Sequence, residues 1–167
     1  MISKNYIEAN LKYFDSRFRH AGSTKESLFY SKLALMELCG WIEISMDDIV
    51  VRCAKKRIKD AANSKMLHNE IVRKNYGFDY ERNFRRMLIR VIGLIGTEKL
   101  ERKLNKTAHS KFVSTLSSLK LARDAEAHTY VKGTTRSIDA PSLTLSRFFD
   151  VYAGLSSLDA KLRKMTF

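Results

Sequence analysis

Apolar residues recur along most of this chain at three- and four-residue intervals, the spacing of a helix with one buried face. Ile7, Leu11, Phe14 and Phe18 set that pattern over residues 3–19, and Ala21, Gly22 and Ser23 end it. Ser23 followed by Glu26 is a capping-box pattern, which opens a long helix to about Lys59. Its apolar face is Leu28, Leu35, Leu38, Cys39, Ile42, Met46, Ile49, Val50 and Cys53. Such a helix exceeds about 50 Å, so a kink near Gly40 or a partner along its side is expected.

The pattern continues in shorter pieces. Residues 64–76 read as a short helix closed by Gly77. Asp79 caps the next, through about Ile92, with Tyr80, Phe84, Met87, Leu88 and Val91 facing inward and Arg82, Arg85, Arg86 and Arg90 outward. Gly93 and Gly96 punctuate the chain, Thr97 caps a short helix to about Leu104, and 105–108 is a polar turn. A helix then starts near His109 or Ser110, with Phe112, Val113, Leu116, Leu119 and Leu121 as apolar contacts and His109 at the surface or in a cap. After Gly133, Thr134 and Thr135, the Asp139–Ala140–Pro141 run opens a last helix to Lys164, its stripe built from Leu145, Phe148, Phe149, Tyr152, Leu155, Leu158 and Leu162. No strand pattern, heptad run or internal repeat stands out. The expected fold is all-α, an up-and-down bundle of five to seven helices.

Length fits one domain over 1–167, which buries roughly 70% of the surface the unfolded chain exposes. It needs no disulfide, metal or cofactor to fold. Cys39 and Cys53 lie about 21 Å apart along one predicted helix and cannot bridge there. The four histidines and two cysteines show no metal-ligand spacing. No apolar run reaches about 18 residues, and MISKNYIEANLKYFD is an amphipathic start unlike a signal peptide, so a cytoplasmic protein without a membrane partner is expected.

Charge changes the picture more. A net +13 calls for an anionic partner, and nucleic acid ranks ahead of a membrane surface. Two clusters are candidate RNA contacts: Arg52, Lys55 and Lys56 at the end of the long helix, and Arg82, Arg85, Arg86 and Arg90. The first also favours the helix dipole, and either can be a solvated face. Upstream, Glu43, Asp47 and Asp48 share a surface, either as a solvated acidic face or as charge partners for a basic site across a dimer.

Candidate chemistry gathers in Ser117–Lys132, SSLKLARDAEAHTYVK. If the segment is helical, Asp124 and His128 share a face, where a carboxylate can orient an imidazole. Arg123 stands about 140° around from His128, so a shared site needs a local irregularity or a second chain. Arginine is a permanent cation that matches a phosphate, and histidine exchanges protons near neutral pH; together they suit phosphodiester cleavage. The plainer alternatives are a helix-surface ion pair of Arg123 with Asp124 or Glu126, a satisfied interface histidine at His128, and a buried aromatic at Tyr130.

Arg123, Asp124, His128 and Tyr130, in the C-terminal half of a small basic helical chain, resemble the HEPN superfamily, whose signature is an arginine and a histidine four to six residues apart with a polar residue after the arginine. The pattern ending in Tyr130 also looks like the HepT toxin branch, paired with a nucleotidyltransferase antitoxin. Its specific part is eight residues, within a fold likeness over 24–163 that leaves 64–108 as a family-specific insert. The resemblance implies a homodimeric, metal-independent endoribonuclease, a toxin or phage-defence effector. Its composite site would pair Arg123 on the phosphate with His128 as general acid or base, Asp124 would support the motif, and Tyr130 would line the cleft. Products would be 2′,3′-cyclic phosphate and 5′-hydroxyl ends. Tyr130 is also where the antitoxin would attach a nucleotide monophosphate. The other class of function is a non-catalytic HEPN-type module that binds RNA, nucleotide or protein.

Overall fold

The computed structural model describes residues 2–55, 57–131 and 137–166. It is 80% helical, with six α-helices and no strand among the described residues. These are α1 (Asn5–Arg19), α2 (Thr24–Lys55), α3 (Ala61–Met66), α4 (Arg85–Glu101), α5 (Lys106–Ala127) and α6 (Pro141–Lys164). Wide π-helical turns, Leu67–Val72 and Tyr80–Phe84, extend α3 and lead into α4.

The all-α bundle expected from periodicity is present, and its centre is α2. Ser23 accepts a hydrogen bond from the Glu26 amide at 3.2 Å as the capping pattern predicts, while the Glu26 carboxylate returns to Gly22 N–H at 2.8 Å, one residue before the cap. The helix runs unbroken through Gly40 and ends at Lys55, four residues before the expected stop; Lys56 lies outside the described residues. α1 runs antiparallel to it: Asn10 binds Glu37, Arg17 binds Tyr30, and the Trp41 indole donates to Ser3 O. α5 is antiparallel on another side, and α6 parallel, with Trp41 against Phe148 and Arg52 beside Asp159. The four long helices thus alternate in direction around Leu11, Leu38, Ile42, Met46, Phe112, Leu116, Phe148 and Leu155, all fully buried. α5 and α6 approach so closely at Gly154 that a Cβ there would stand 2.3 Å from the Phe112 ring.

Residues 61–101 pack on the end of the bundle where α2 and α6 finish. Here the structure departs from the expected pieces. The first stretch of α4 stops at Ile92 as expected, where Gly93 breaks it with φ +73°, but the second stretch takes in Thr97 and ends at Glu101, short of Leu104. Thr97 is buried inside that stretch, its hydroxyl donating to Gly93 O at 2.9 Å, so it is no N-cap. Asn105 takes the capping role for α5, accepting from the Ala108 amide, which starts that helix three residues before His109. His109 is half-buried against the Tyr80 ring at 4.6 Å, and burial pushes its pKa down; it is neither cap nor surface residue. No helix of the described residues is long and apolar enough to cross a membrane.

Candidate functional site

α5 delivers Arg123 to the seam with α2. Its Nη1 donates to Glu43 Oε1 at 3.3 Å, its guanidinium carbon stands 5.4 Å from the centre of the buried Phe78 ring, and its Nε lies 2.9 Å from Asp124 Oδ1. That last contact is a charge pair in which the Nε–H is not aimed at the carboxylate, and the donor stays unsatisfied. Glu43, read in sequence as part of a solvated acidic face or a partner across a dimer, is therefore the in-chain partner of Arg123. Nearby Cys39 is a free, buried thiol whose pKa burial pushes up to about 12, so it is no nucleophile. Asp47, one turn on from Glu43, is half-buried and raised to about 6, chiefly by desolvation and then by the charge of Glu43. Phe78 was not legible as a site residue: it reaches Arg123 from a loop 45 positions away.

Of the other motif residues only Asp124 stays with it; no hydrogen bond, ion pair or ring contact joins Arg123 to His128 or Tyr130 among the described residues. α5 ends at Ala127, and His128 is its C-cap with φ −103° and ψ +17°. The expected pairing of Asp124 with His128 does not form. Asp124 instead binds Lys120 one turn back, and Lys120 first, then Arg123, holds its carboxyl below the ordinary range. His128 is exposed and makes no side-chain hydrogen bond or ion pair among the described residues. Tyr130 is 74% exposed, which removes the reading of a buried aromatic. Glu126 turns inward instead, buried within 4.0 Å of Lys32. Lys32 also donates to Thr129 O, pinning the segment after α5 to the N-terminal half of α2. Lys132 to Arg136, including the glycine and threonines of the expected exit turn, lie outside the described residues.

The basic clusters divide as well. Arg52 points between Asp48 and the buried Asp159, at 3.8 and 3.5 Å, so it is largely committed to the bundle, while Lys55 is exposed. Arg85 is not an outward arginine: its Nε donates to Glu101 at 2.8 Å, beside the buried Tyr80 hydroxyl that also donates to Glu101. Arg82, Arg86 and Arg90 remain outside on one face. Among the described residues no group of three His, Cys, Asp or Glu side chains is placed to hold a metal ion.

Compared with known proteins, the chain matches no family model, no curated protein and no solved structure at a significant level.

Proposed function

We propose that this chain is a metal-independent endoribonuclease of the HEPN type that works as a homodimer, each site taking Arg123 from one copy and His128 from the other. The observation that carries this reading is an uncovered apolar stripe on α2. Phe29, Leu33, Met36 and Ile44 are 37–64% exposed along one face, with Gly40 between them and open space above it. Isolated exposed apolar residues need no explanation, but a stripe about four helical turns long suits a helix partner.

Register supports the composite site. Pairing Phe29 with Ile44 and Leu33 with Gly40 in an antiparallel crossing puts the two-fold axis beside Met36. In that crossing position 43 of one copy is level with position 30 of the other. Arg123 meets α2 at Glu43, and the segment just after His128 meets it at Lys32. The arginine of one copy would thus stand near the histidine of its partner, which answers the separation of the two within one chain.

In such a site His128 takes the proton of the ribose 2′-hydroxyl, whose oxygen attacks phosphorus, and Arg123 neutralises charge growing on the phosphate oxygens. The bond to the 5′-oxygen breaks, and that oxygen leaves with a proton from the imidazolium or water. The products are a 2′,3′-cyclic phosphate and a 5′-hydroxyl, and DNA resists because it lacks the nucleophile. The exposed Tyr130 hydroxyl suits attack on the α-phosphorus of a nucleoside triphosphate held by a nucleotidyltransferase antitoxin, with pyrophosphate leaving. Added bulk and negative charge there would close the cleft of a cytoplasmic toxin or defence effector.

The test is RNA cleavage in EDTA by the native chain, His128→Ala and Arg123→Ala, with analysis of the ends. Each variant alone should be inactive, and mixing the two should restore about a quarter of native activity. Half of the dimers formed on mixing are mixed, and each of these carries one intact site. Variants that stay folded and still cleave would end the reading. A second reading, a non-catalytic module that binds RNA, nucleotide or protein, draws on the internal pairing of Arg123 with Glu43 and Asp124. It predicts native protein that binds RNA and leaves it intact.

A further inference from the structure

The segment 61–90 holds a second feature that the motif does not use. Between the π-helical turn Leu67–Val72 and the start of α4 lies a groove of about 520 Å³, walled by Lys74, Arg82, Arg86 and Arg90, with Tyr76 at its edge. Positions 82, 86 and 90 recur every four residues and so stand in a row along one face. Arg85, off that row, is the one turned into the protein. Arg82 and Arg86 are exposed and have no ion pair or side-chain hydrogen bond among the described residues. Arg90 donates to the Glu70 carbonyl, which holds the guanidinium in place without neutralising it; only Lys74 has a carboxylate partner, Glu70.

Tyr76 is 86% exposed, yet the loop that carries it is fastened. The Asn83 amide nitrogen donates to Tyr76 O at 3.1 Å and to Asn75 Oδ1 at 3.0 Å, and its oxygen accepts from the Asp79 amide at 3.0 Å. Gly77 turns the chain at φ +113°, where a Cβ would stand 3.2 Å from that same Asn83 oxygen, and Asp79 caps the next turn by accepting from Arg82 N–H at 2.7 Å. An aromatic ring held in water by a fixed loop, beside unneutralised guanidinium groups, has the two parts of a single-strand nucleic-acid site. The cations track the backbone and the ring takes a base face. The volume is in the range of small-ligand sites and fits one to two nucleotides.

We propose that this groove binds single-stranded RNA, with phosphates on Arg82, Arg86 and Arg90 and a base stacked on Tyr76, as a substrate-holding site separate from Arg123 and His128. It deepens the ribonuclease reading and rests on it for the choice of RNA, while binding itself needs no turnover.

The experiment is titration of a fluorescein-labelled uridine-rich 12-mer RNA with the full-length His128→Ala chain, at several salt concentrations. Comparisons are Tyr76→Ala, Arg82→Ala/Arg86→Ala and Arg85→Ala, each added to that background. Tyr76→Ala should weaken binding about tenfold. The double arginine variant should weaken it further and lower the slope of log affinity against log salt by about 1.4, roughly 0.7 for each lost phosphate contact on a single strand. Arg85→Ala should leave the slope unchanged. Tyr76, Arg82 and Arg86 are exposed, so their variants keep the fold, which circular dichroism verifies for every chain used. Affinity and slope unchanged in the Tyr76 and arginine variants, or no RNA binding at all, would overturn the groove. Its failure is distinguishable from that of the nuclease. Native protein that binds through the groove without cleaving sinks only the nuclease, whereas unchanged affinity on the His128→Ala background, with full cleavage by the same groove substitutions made in the native chain, sinks only the groove.

Discussion

Arg123 illustrates how one residue's surroundings decide which part of a motif is free to act. Its charge is shared with Glu43 and Asp124 and its plane rests near Phe78, so it is fixed in position but only partly neutralised. Removing the hydrogen-bonded in-chain partner tests this: Glu43→Gln should cost about 0.5–1 kcal/mol, the range of a partly exposed ion pair, measured by urea denaturation. The same acidic face makes a pH prediction. The folded-state pKa of Asp47 stands near 6, above its ordinary 3.8, so the folded chain holds that proton more tightly than the unfolded one. The stabilising contribution is therefore complete below about pH 4 and lost as pH rises through about 6. Asp47→Asn keeps a neutral side chain at every pH. It should be more stable than the native chain by about 1 kcal/mol at pH 8, a figure discounted for the group's exposure, and equal to it near pH 4. A difference that does not shrink with acid would mean that Asp47 titrates normally.

At the scale of elements, what was legible followed from periodicity and caps. The α2 start, the buried faces of α1, α2 and, apart from the exposed Phe149, α6, and the all-α bundle came from repeating apolar positions and from Ser23, Asp79 and Pro141. The errors sit where tertiary contacts overrode a local signal. Gly93 is the break it looked like, at φ +73°, yet Thr97 beyond it is no cap, because it is buried with Leu100 where the second stretch packs on the bundle. Arg85 looked like its arginine neighbours until Glu101, 16 positions away, was brought beside it. The motif was legible as a string of residue types and not as a geometry, since the end of α5 at Ala127 decides where His128 faces. Gly154 gave no signal at all in sequence. Its lack of a Cβ lets α5 and α6 meet at Phe112, so Gly154→Ala must displace a fully buried ring. The expected cost is about 2 kcal/mol, despite alanine's better helix propensity, seen as a melting temperature lower by roughly 5 °C. An unchanged or raised melting temperature would show that the two helices separate easily there.

For the whole molecule, two electrostatic demands pull in opposite directions. Each copy carries +13, so forming the proposed dimer brings like charges together, and salt screens that repulsion beyond a Debye length of about 8 Å at physiological strength. RNA binding weakens with salt, because each phosphate contact releases a counterion. Cleavage, which on the composite-site reading needs both, should therefore pass through a maximum as salt rises when protein is dilute, and should fall steadily when protein is concentrated enough to stay dimeric. The stripe on α2 allows the two demands to be separated. Leu33→Arg with Ile44→Arg replaces side chains that are 49% and 64% exposed in the single chain, so the fold should persist by circular dichroism. Sedimentation should show a monomer, cleavage should disappear, and binding of a 12-mer to each copy should remain, because the groove at Arg82 and Arg86 lies wholly within one chain. Loss of both dimer and cleavage with retained binding ties the chemistry to the α2 face. A variant that sediments as a dimer moves the interface elsewhere, and one that is monomeric yet cleaves RNA removes the need for two chains and with it the reason for setting Arg123 of one copy against His128 of the other.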